Sequence, residues 1–397
     1  MKKAIKELMD IKGRNFYSFT TACLSLVDES NRINEILKKK NKQVLNLSDA
    51  DFIVVTTCAV SRDSAQNSVE NILRLNKDSG NKPIFVGGCL ANAKEREELN
   101  KIKNIRFFTA DDIFKKIGKV DIICEKTTSR CEPFWLKDMS EKRKHLEKLQ
   151  NKNKRLAELY AFTTDGIVFQ DMPFEFDTIR LSKGCNKRCS YCAIPNNRGR
   201  YLEHDFSYVS AQIKDSKNKH LLLIGENLGC YKDFDKIFEY AISKGKILML
   251  RYIEPEYVHR IKREFLKNII YIGVPLQSGS KKVLKDMRRP GNLAAVKEKF
   301  KEWEKYNIFL GTSVILSYPT ENIIDYLRTL YFIASAPVNY VSFQNFSPRE
   351  NSPVFEQYKE WDNNNLKAKI KFWIFDCLVK LKSRLNYAAI SNRGKQK

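Results

Sequence analysis

The stretch "FDTIRLSKGCNKRCSYCAIP" (residues 176–195) decides how the chain is read. Its first seven residues read as a strand. A polar loop with three cysteines, Cys185, Cys189 and Cys192, follows at once in the spacing C-x3-C-x2-C. A thiolate site for zinc or an iron–sulfur cluster ordinarily takes four protein ligands. The nearest histidine is His204, twelve residues beyond Cys192, which leaves a closed zinc site one ligand short. Three thiolates instead suit a 4Fe–4S cluster whose fourth iron stays open to a small molecule with an amino and a carboxylate group.

Beyond residue 175 strands and helices alternate. The strand candidates are "HLLLIG", "KILMLRYI", "IIYIGV", "IFLGTSVILS" and "VNYVSFQNF". Between them lie helix candidates near 206–216 and at "DKIFEYAIS", "EYVHRIKREFL", "SKKVLKDM", "LAAVKEKFKEWEKY" and "NIIDYLRTLYFIAS". About six β/α units predict a full or partial barrel, with its site at the C-terminal strand ends.

Toward the N-terminus three segments share one design. "NFYSFTTAC" ends at Cys23, "DFIVVTTC" at Cys58 and "KPIFVGGC" at Cys89. Helix-like stretches follow: "DESNRINEILKKK", "SRDSAQNSVENILRL" and "NAKEREELNKI". This alternation predicts a parallel sheet, and in such sheets ligands sit beyond the C-terminal strand ends, where all three cysteines fall. "NIRFF" and "VDIIC" read as further strands. The α/β chain thus divides into an N-terminal domain (1–125), a basic linker (126–174), a barrel (175–350) and a basic helical tail (351–397). The linker holds seven Lys/Arg against two Glu over residues 140–155, and residues 363–397 hold nine Lys/Arg and one Asp.

The chain has 397 residues, 71 of them Lys or Arg against 47 Asp or Glu, a formal charge of +24. That balance fits a polyanion partner, nucleic acid above all, although many lysines lie on ordinary helix faces. No apolar run approaches the ~20 residues that span a bilayer, and the charged start has no signal-like apolar core, so a cytoplasmic protein without membrane attachment is expected. Ten cysteines in that compartment point to metal binding or catalysis rather than disulfides.

The C-x3-C-x2-C loop, with Tyr191 before its last cysteine, resembles the radical S-adenosylmethionine (radical SAM) signature. The resemblance implies that the open iron binds SAM and that reductive cleavage gives a 5′-deoxyadenosyl radical. "DFIVVTTCAVSRDSAQNSVENI", "PIFVGGCLA", "LLLIGENLGCYKDF", "VPLQSGSKKVLKDMRR" and "FQNFSPRENSP" extend the likeness to the methylthiotransferases, the MiaB, RimO and MtaB group, over roughly residues 15–360. In that family Cys23, Cys58 and Cys89 would hold a second 4Fe–4S cluster that carries the transferred sulfur. The resemblance further implies cofactor contacts from Glu226, Gln277 and Ser278, and from Arg198 and Arg200 toward phosphate or the SAM carboxylate. It also implies an electron donor such as flavodoxin or ferredoxin. "RYIEPEYV" and "NLGCYKDF" look most like the MtaB branch, whose substrate is N6-threonylcarbamoyladenosine beside the tRNA anticodon; a protein or peptide side chain is the alternative, and a non-catalytic iron–sulfur or RNA-binding protein is a third reading, which "IGEN" and "PLQSGS" argue against. Two departures stand out. The family's "GFPGE" segment is "SYPTE" here (317–321), and the last 40 residues are too few and too helix-like for the family's TRAM domain. Cys124, Cys131, Cys230 and Cys377 are read as ordinary thiols, with Cys230 the nearest of them to a cluster.

Overall fold

The computed structural model describes residues 2–21, 24–59, 62–109, 130–131, 176–289, 291–362 and 365–393. Cys23, Cys124, the strand expected at "VDIIC" and most of the 126–174 stretch lie outside them. The described residues form two compact units that do not follow chain order. The first combines residues up to 131 with 182–216 and 348–357; the second combines 176–181, 217–347 and 358–393.

The first unit is built on a parallel sheet. β1 (Asn15–Thr20), β3 (Phe52–Thr57), β4 (Ile84–Gly88) and β5 (Ile105–Phe107) lie side by side, with β2 (Lys42–Gln43) at the edge of β1. Arg130–Cys131, within the stretch read as linker, adds a short strand β6 opposite Phe19–Thr20. Helices cover both faces, so β3 reads FIVVTT with every residue buried. Alternation along the strands sorts the side chains. Phe16, Phe52, Val54 and Phe85 meet Ala4, Ile5 and Leu8 of α1 (Lys2–Asp10) and Ile33 and Leu37 of α2 (Leu24–Lys38). Tyr17, Ile53, Val55, Ile84 and Val86 face Ala65, Val69, Ile72 and Leu75 of α3 (Arg62–Asp78).

The helix expected at "NAKEREELNKI" is instead a run of 3₁₀ turns, Cys89–Asn92, Lys94–Glu97 and Leu99–Lys101. Its apolar positions, Ala93, Leu99 and Ile102, are too few and too widely spaced to bury a continuous helical stripe. The first unit is completed by the cysteine loop with its short hairpin β8 (Ser182–Lys183) and β9 (Leu202–Glu203), α4 (Ile194–Arg198) and α5 (Phe206–Asp215).

The second unit is a six-stranded parallel sheet whose strands pair in chain order. They are β7 (Phe176–Arg180), β10 (His220–Ile224), β11 (Ile247–Leu250), β12 (Ile269–Gln277), β13 (Phe309–Leu316) and β14 (Tyr340–Asn345). This is the partial-barrel arrangement that six β/α units imply. Its helices are α6 (Phe234–Ser243), α7 (Lys281–Asp286), α8 (Leu293–Glu304) and α9 (Ile323–Ser335). The helix expected at "EYVHRIKREFL" is two 3₁₀ segments, Pro255–Arg260 and Arg263–Asn268. The 3₁₀ path lets the Arg260 guanidinium donate to the carbonyls of Gly229 and Tyr231, both at 2.8 Å. A single turn, α10 (Phe355–Tyr358), spans the return of the chain from the first unit to the second.

The basic tail is the helix α11 (Leu366–Arg393), packed on β13, β14 and α9. Phe372 and Phe375 each pack against Phe343 with tilted rings and ring centres 4.9 Å apart. Lys371 is buried and forms an ion pair with Glu321 at 2.6 Å, within the "SYPTE" segment. Among the described residues no helix is long and apolar enough to cross a membrane.

Candidate active site

Cys58 and Cys89 sit one residue past β3 and β4, at strand ends that lie side by side, since Thr57 pairs with Gly88. Both are buried. The backbone of Cys58 is pinned on both sides: its N–H donates to the Thr21 hydroxyl at 3.3 Å, and its carbonyl accepts from the Ser68 hydroxyl of α3 at 2.8 Å. Cys89 depends on Gly88. That residue has φ +86°, and a Cβ there would stand 2.4 Å from the Thr57 carbonyl oxygen. Only glycine lets the chain turn so sharply beside its neighbour strand.

The other cysteine set lies within eight residues of one loop. Cys189 is buried; Cys185 and Cys192 are half-buried. The sulfur of Cys185 accepts the backbone N–H of Lys187 at 3.4 Å, and the Cys192 N–H closes a turn on the Cys189 carbonyl at 3.1 Å. Gly184 has φ +73°, and a Cβ there would lie 2.3 Å from the Arg200 carbonyl oxygen. The loop and its return strand therefore pass at backbone contact just before the first cysteine.

The two sets belong to the same compact unit. α4 packs on the 3₁₀ turn that begins at Cys89. Asn92 donates to the Asn197 carbonyl at 2.8 Å, and the Asn351 side chain donates to the Asn92 carbonyl and to the Asn197 side-chain oxygen, both at 3.0 Å. Val354 N–H donates to the Ser190 carbonyl at 3.1 Å. The segment 348–357 thus clasps both cysteine-bearing stretches. On the far side of the loop, Arg198 forks onto Glu29 of α2, with both side chains buried, and Arg32 donates to the Tyr208 hydroxyl at 2.6 Å and to Gln212 at 2.9 Å.

Another buried arginine, Arg349, stands in "SPRENSP" and is not among the residues the sequence points to. It donates to the carbonyl of Ala59, the residue after Cys58, and reaches Glu95 at 3.4 Å. Burial pushes its pKa down, while the nearby charges of Glu95, Cys58, Glu350 and Cys89 act the other way. Nothing in the sequence alone tells this arginine from the many exposed ones.

In the second unit Glu226 follows β10 and lies 3.8 Å from Arg180 at the end of β7, both side chains buried. Gln277 ends β12 at φ +72° and donates to Ser313 at 3.2 Å. Ser278 is buried, lies 3.3 Å from the Thr329 hydroxyl and accepts the Ser280 N–H at 3.1 Å. The residue that caps the following helix is Ser280, through the Val283 N–H. Tyr191 is half-buried and Arg200 exposed. The Cys230 thiol donates to the Tyr257 hydroxyl at 3.0 Å, and Cys377 is exposed.

The donors suit iron–sulfur clusters. Among the described residues no three His, Cys, Asp or Glu side chains converge on a single-ion site. A cubane is several atoms across and needs its thiolates spread apart, with N–H donors to the sulfurs and little water around them. The Lys187 N–H on Cys185 and the burial of Cys58, Cys89 and Cys189 meet those needs.

Residues 179–333 match the radical SAM superfamily, and residues 15–110 match the uncharacterized protein family UPF0004. A ribosomal protein uS12 methylthiotransferase RimO from Leptospira biflexa is 26% identical over 358 residues, covering 85% of this chain and 75% of that protein. A tRNA-2-methylthio-N(6)-dimethylallyladenosine synthase from Natranaerobius thermophilus is 24% identical over 390 residues, covering 90% and 80%. Among solved structures, the radical SAM methyltransferase TsrM from Kitasatospora setae covers 88% of this chain and 76% of its own, with a TM-score of 0.57 at 11% identity, a likeness of fold.

Fold and cysteine loop together define a radical SAM enzyme. Within that superfamily the chain belongs to the methylthiotransferase family shared by RimO and the MiaB-type synthases, transferases that use SAM and two 4Fe–4S clusters.

Proposed function

We propose that this methylthiotransferase acts on tRNA, at C2 of N6-threonylcarbamoyladenosine beside the anticodon. Cys185, Cys189 and Cys192 hold the cluster that binds SAM; Cys23, Cys58 and Cys89 hold the second. When bound, these groups supply the radical that breaks an unactivated C–H bond and the sulfur that replaces the hydrogen. The chain's own contribution is placement and shielding. The Lys187 N–H keeps electron density on the Cys185 sulfur. The buried strand ends exclude water from Cys58 and Cys89. Glu226 accepts a hydrogen bond from the amino group of SAM, with Gln277, Ser278 and Tyr191 lining the cofactor and the exposed Arg200 directed at carboxylate or phosphate; Arg198, expected in the same role, is instead engaged by Glu29. A flavodoxin or ferredoxin supplies the electrons.

The +24 charge carries the choice of tRNA. Neutralising RNA phosphates releases counterions, which favours binding by a strongly basic chain, and a single-stranded anticodon loop exposes its bases to an enzyme. The Natranaerobius relative, named for a tRNA product, supports the same class. The choice of the threonylcarbamoyl base rests on the segments "RYIEPEYV" and "NLGCYKDF". The test is mass spectrometry of tRNA nucleosides from cells with and without the gene. Loss of the 2-methylthio form of N6-threonylcarbamoyladenosine is expected, and unchanged methylthio-adenosines would remove the reading. A protein side chain is the second reading, favoured by the RimO of Leptospira biflexa. It predicts no salt-sensitive tRNA binding.

A further inference from the structure

The structure assigns Arg349 as the positioning residue of the Cys58/Cys89 site: a buried guanidinium that braces the chain after both strand ends and lends the second cluster a positive charge that Glu95 and Glu350 offset only in part. This rests on the proposal that these cysteines hold a cluster.

Three observations carry it. First, place: Arg349 is only 5% exposed, and its guanidinium donates to the carbonyl of Ala59, the immediate neighbour of Cys58. Its other arm reaches Glu95, six residues beyond Cys89 in the same run of 3₁₀ turns. One side chain therefore links the residue after Cys58 to the run of 3₁₀ turns that begins at Cys89. Its own backbone is held in turn, because the Ser352 hydroxyl and N–H donate to the Arg349 carbonyl at 2.6 and 2.9 Å.

Second, incomplete neutralisation: the contact to Glu95 is single and long, 3.4 Å, and the Glu95 side chain is 22% exposed. The Arg349 Nε is buried with no hydrogen-bond partner. A buried guanidinium ordinarily makes a forked, fully satisfied pair with a carboxylate. Third, reach: the bond to the Ala59 carbonyl sets the guanidinium against the residue that follows Cys58, and Cys58 and Cys89 follow neighbouring strands whose ends pair at Thr57 and Gly88.

A thiolate-ligated cluster gains negative charge on reduction, and so does a site that takes on an anionic sulfur. A fixed cation nearby favours both, and it does so more strongly in a dry, low-dielectric setting than in water.

The test uses the full chain carrying Cys185→Ala, Cys189→Ala and Cys192→Ala, so that the second cluster alone remains, and reads iron content and the midpoint potential of that cluster by redox titration. Arg349→Met is expected to retain about four irons and to lower the reduced-to-oxidised ratio at fixed potential at least tenfold, a downward shift of about 59 mV for one electron. Arg349→Lys restores most of the shift by returning the charge. Glu95→Gln moves the potential upward, because it removes the partial counter-charge. Full iron with an unchanged potential in Arg349→Met overturns the assignment and leaves Arg349 as a mere structural tie. If Arg349→Met holds no iron, Glu95→Gln decides alone: an upward shift supports the assignment, and no shift overturns it. Absence of iron from the parental triple-alanine chain would instead overturn the two-cluster reading, and the assignment with it.

Discussion

The two cysteine sets are each served by a buried arginine, and the two arginines are used differently. Arg198, on the helix after Cys192, is forked onto Glu29, and both side chains are almost wholly buried. Arg349, beside Cys58, meets a partly exposed carboxylate at one long contact and bonds a backbone carbonyl. The first arginine has its charge matched by a carboxylate of the chain; the second keeps much of its charge for its surroundings. The contrast follows the local architecture. The 185–192 loop is held by backbone contact at Gly184 and by the ion pair to α2. The strand ends at 58 and 89 already stand on a rigid sheet and need fixing only at their turns.

The largest effects should separate the two sets by role. Cys185→Ala is expected to lower SAM cleavage more than ~1000-fold, while Cys58→Ala leaves cleavage near the wild-type rate and abolishes methylthio transfer, as product analysis by mass spectrometry would show. Equal loss of cleavage in both would erase the distinction. Next comes Arg198→Met, which strands the Glu29 carboxylate in the interior. It should cost about 3–5 kcal/mol in thermal or denaturant unfolding, yet leave the potential of the second cluster unmoved. A shift there equal to that of Arg349→Met would break the contrast between the arginines.

The glycines give a matched, smaller pair. Gly184→Ala and Gly88→Ala each place a Cβ against a backbone oxygen at a positive φ, and each should cost about 1–3 kcal/mol. Gly184→Ala should lower iron retention at the loop set and Gly88→Ala at the strand set, read by iron analysis in chains where the other set is alanine.

The smallest effect concerns Glu321 in the other unit, a control remote in role from both sets. Burial raises its pKa against the opposing pull of Lys371 and the Ser317 N–H. A raised carboxyl contributes stability that is fully present below the ordinary glutamate pKa and lost as pH rises through the higher folded value. Melting curves across the mildly acidic range should therefore flatten in Glu321→Gln, with no change at either cysteine set.

Much of this was legible in the sequence, for identifiable reasons. Parallel strands buried on both faces announce themselves as unbroken runs such as FIVVTT, and three cysteines within eight residues carry their meaning locally. The common placement of Cys58 and Cys89 after β3 and β4 was also readable, because a sheet aligns its strand ends; Cys23 lies outside the described residues. The two missed helices failed where apolar spacing does not sustain a stripe and side-chain-to-carbonyl bonds, as from Arg260, hold a tighter path. The long-range partners were out of reach. Glu29 lies 169 residues from Arg198, and Ala59 lies 290 residues from Arg349. Nor does composition reveal that Lys371, in a tail that reads as a basic helix, is buried against Glu321.

Iron and sulfide analysis of the anaerobically reconstituted chain tests the two-cluster claim most directly. About eight irons per chain are expected, falling to about four when Cys185, Cys189 and Cys192 are alanine. About four irons in the unaltered chain, with none left in that variant, would contradict the account.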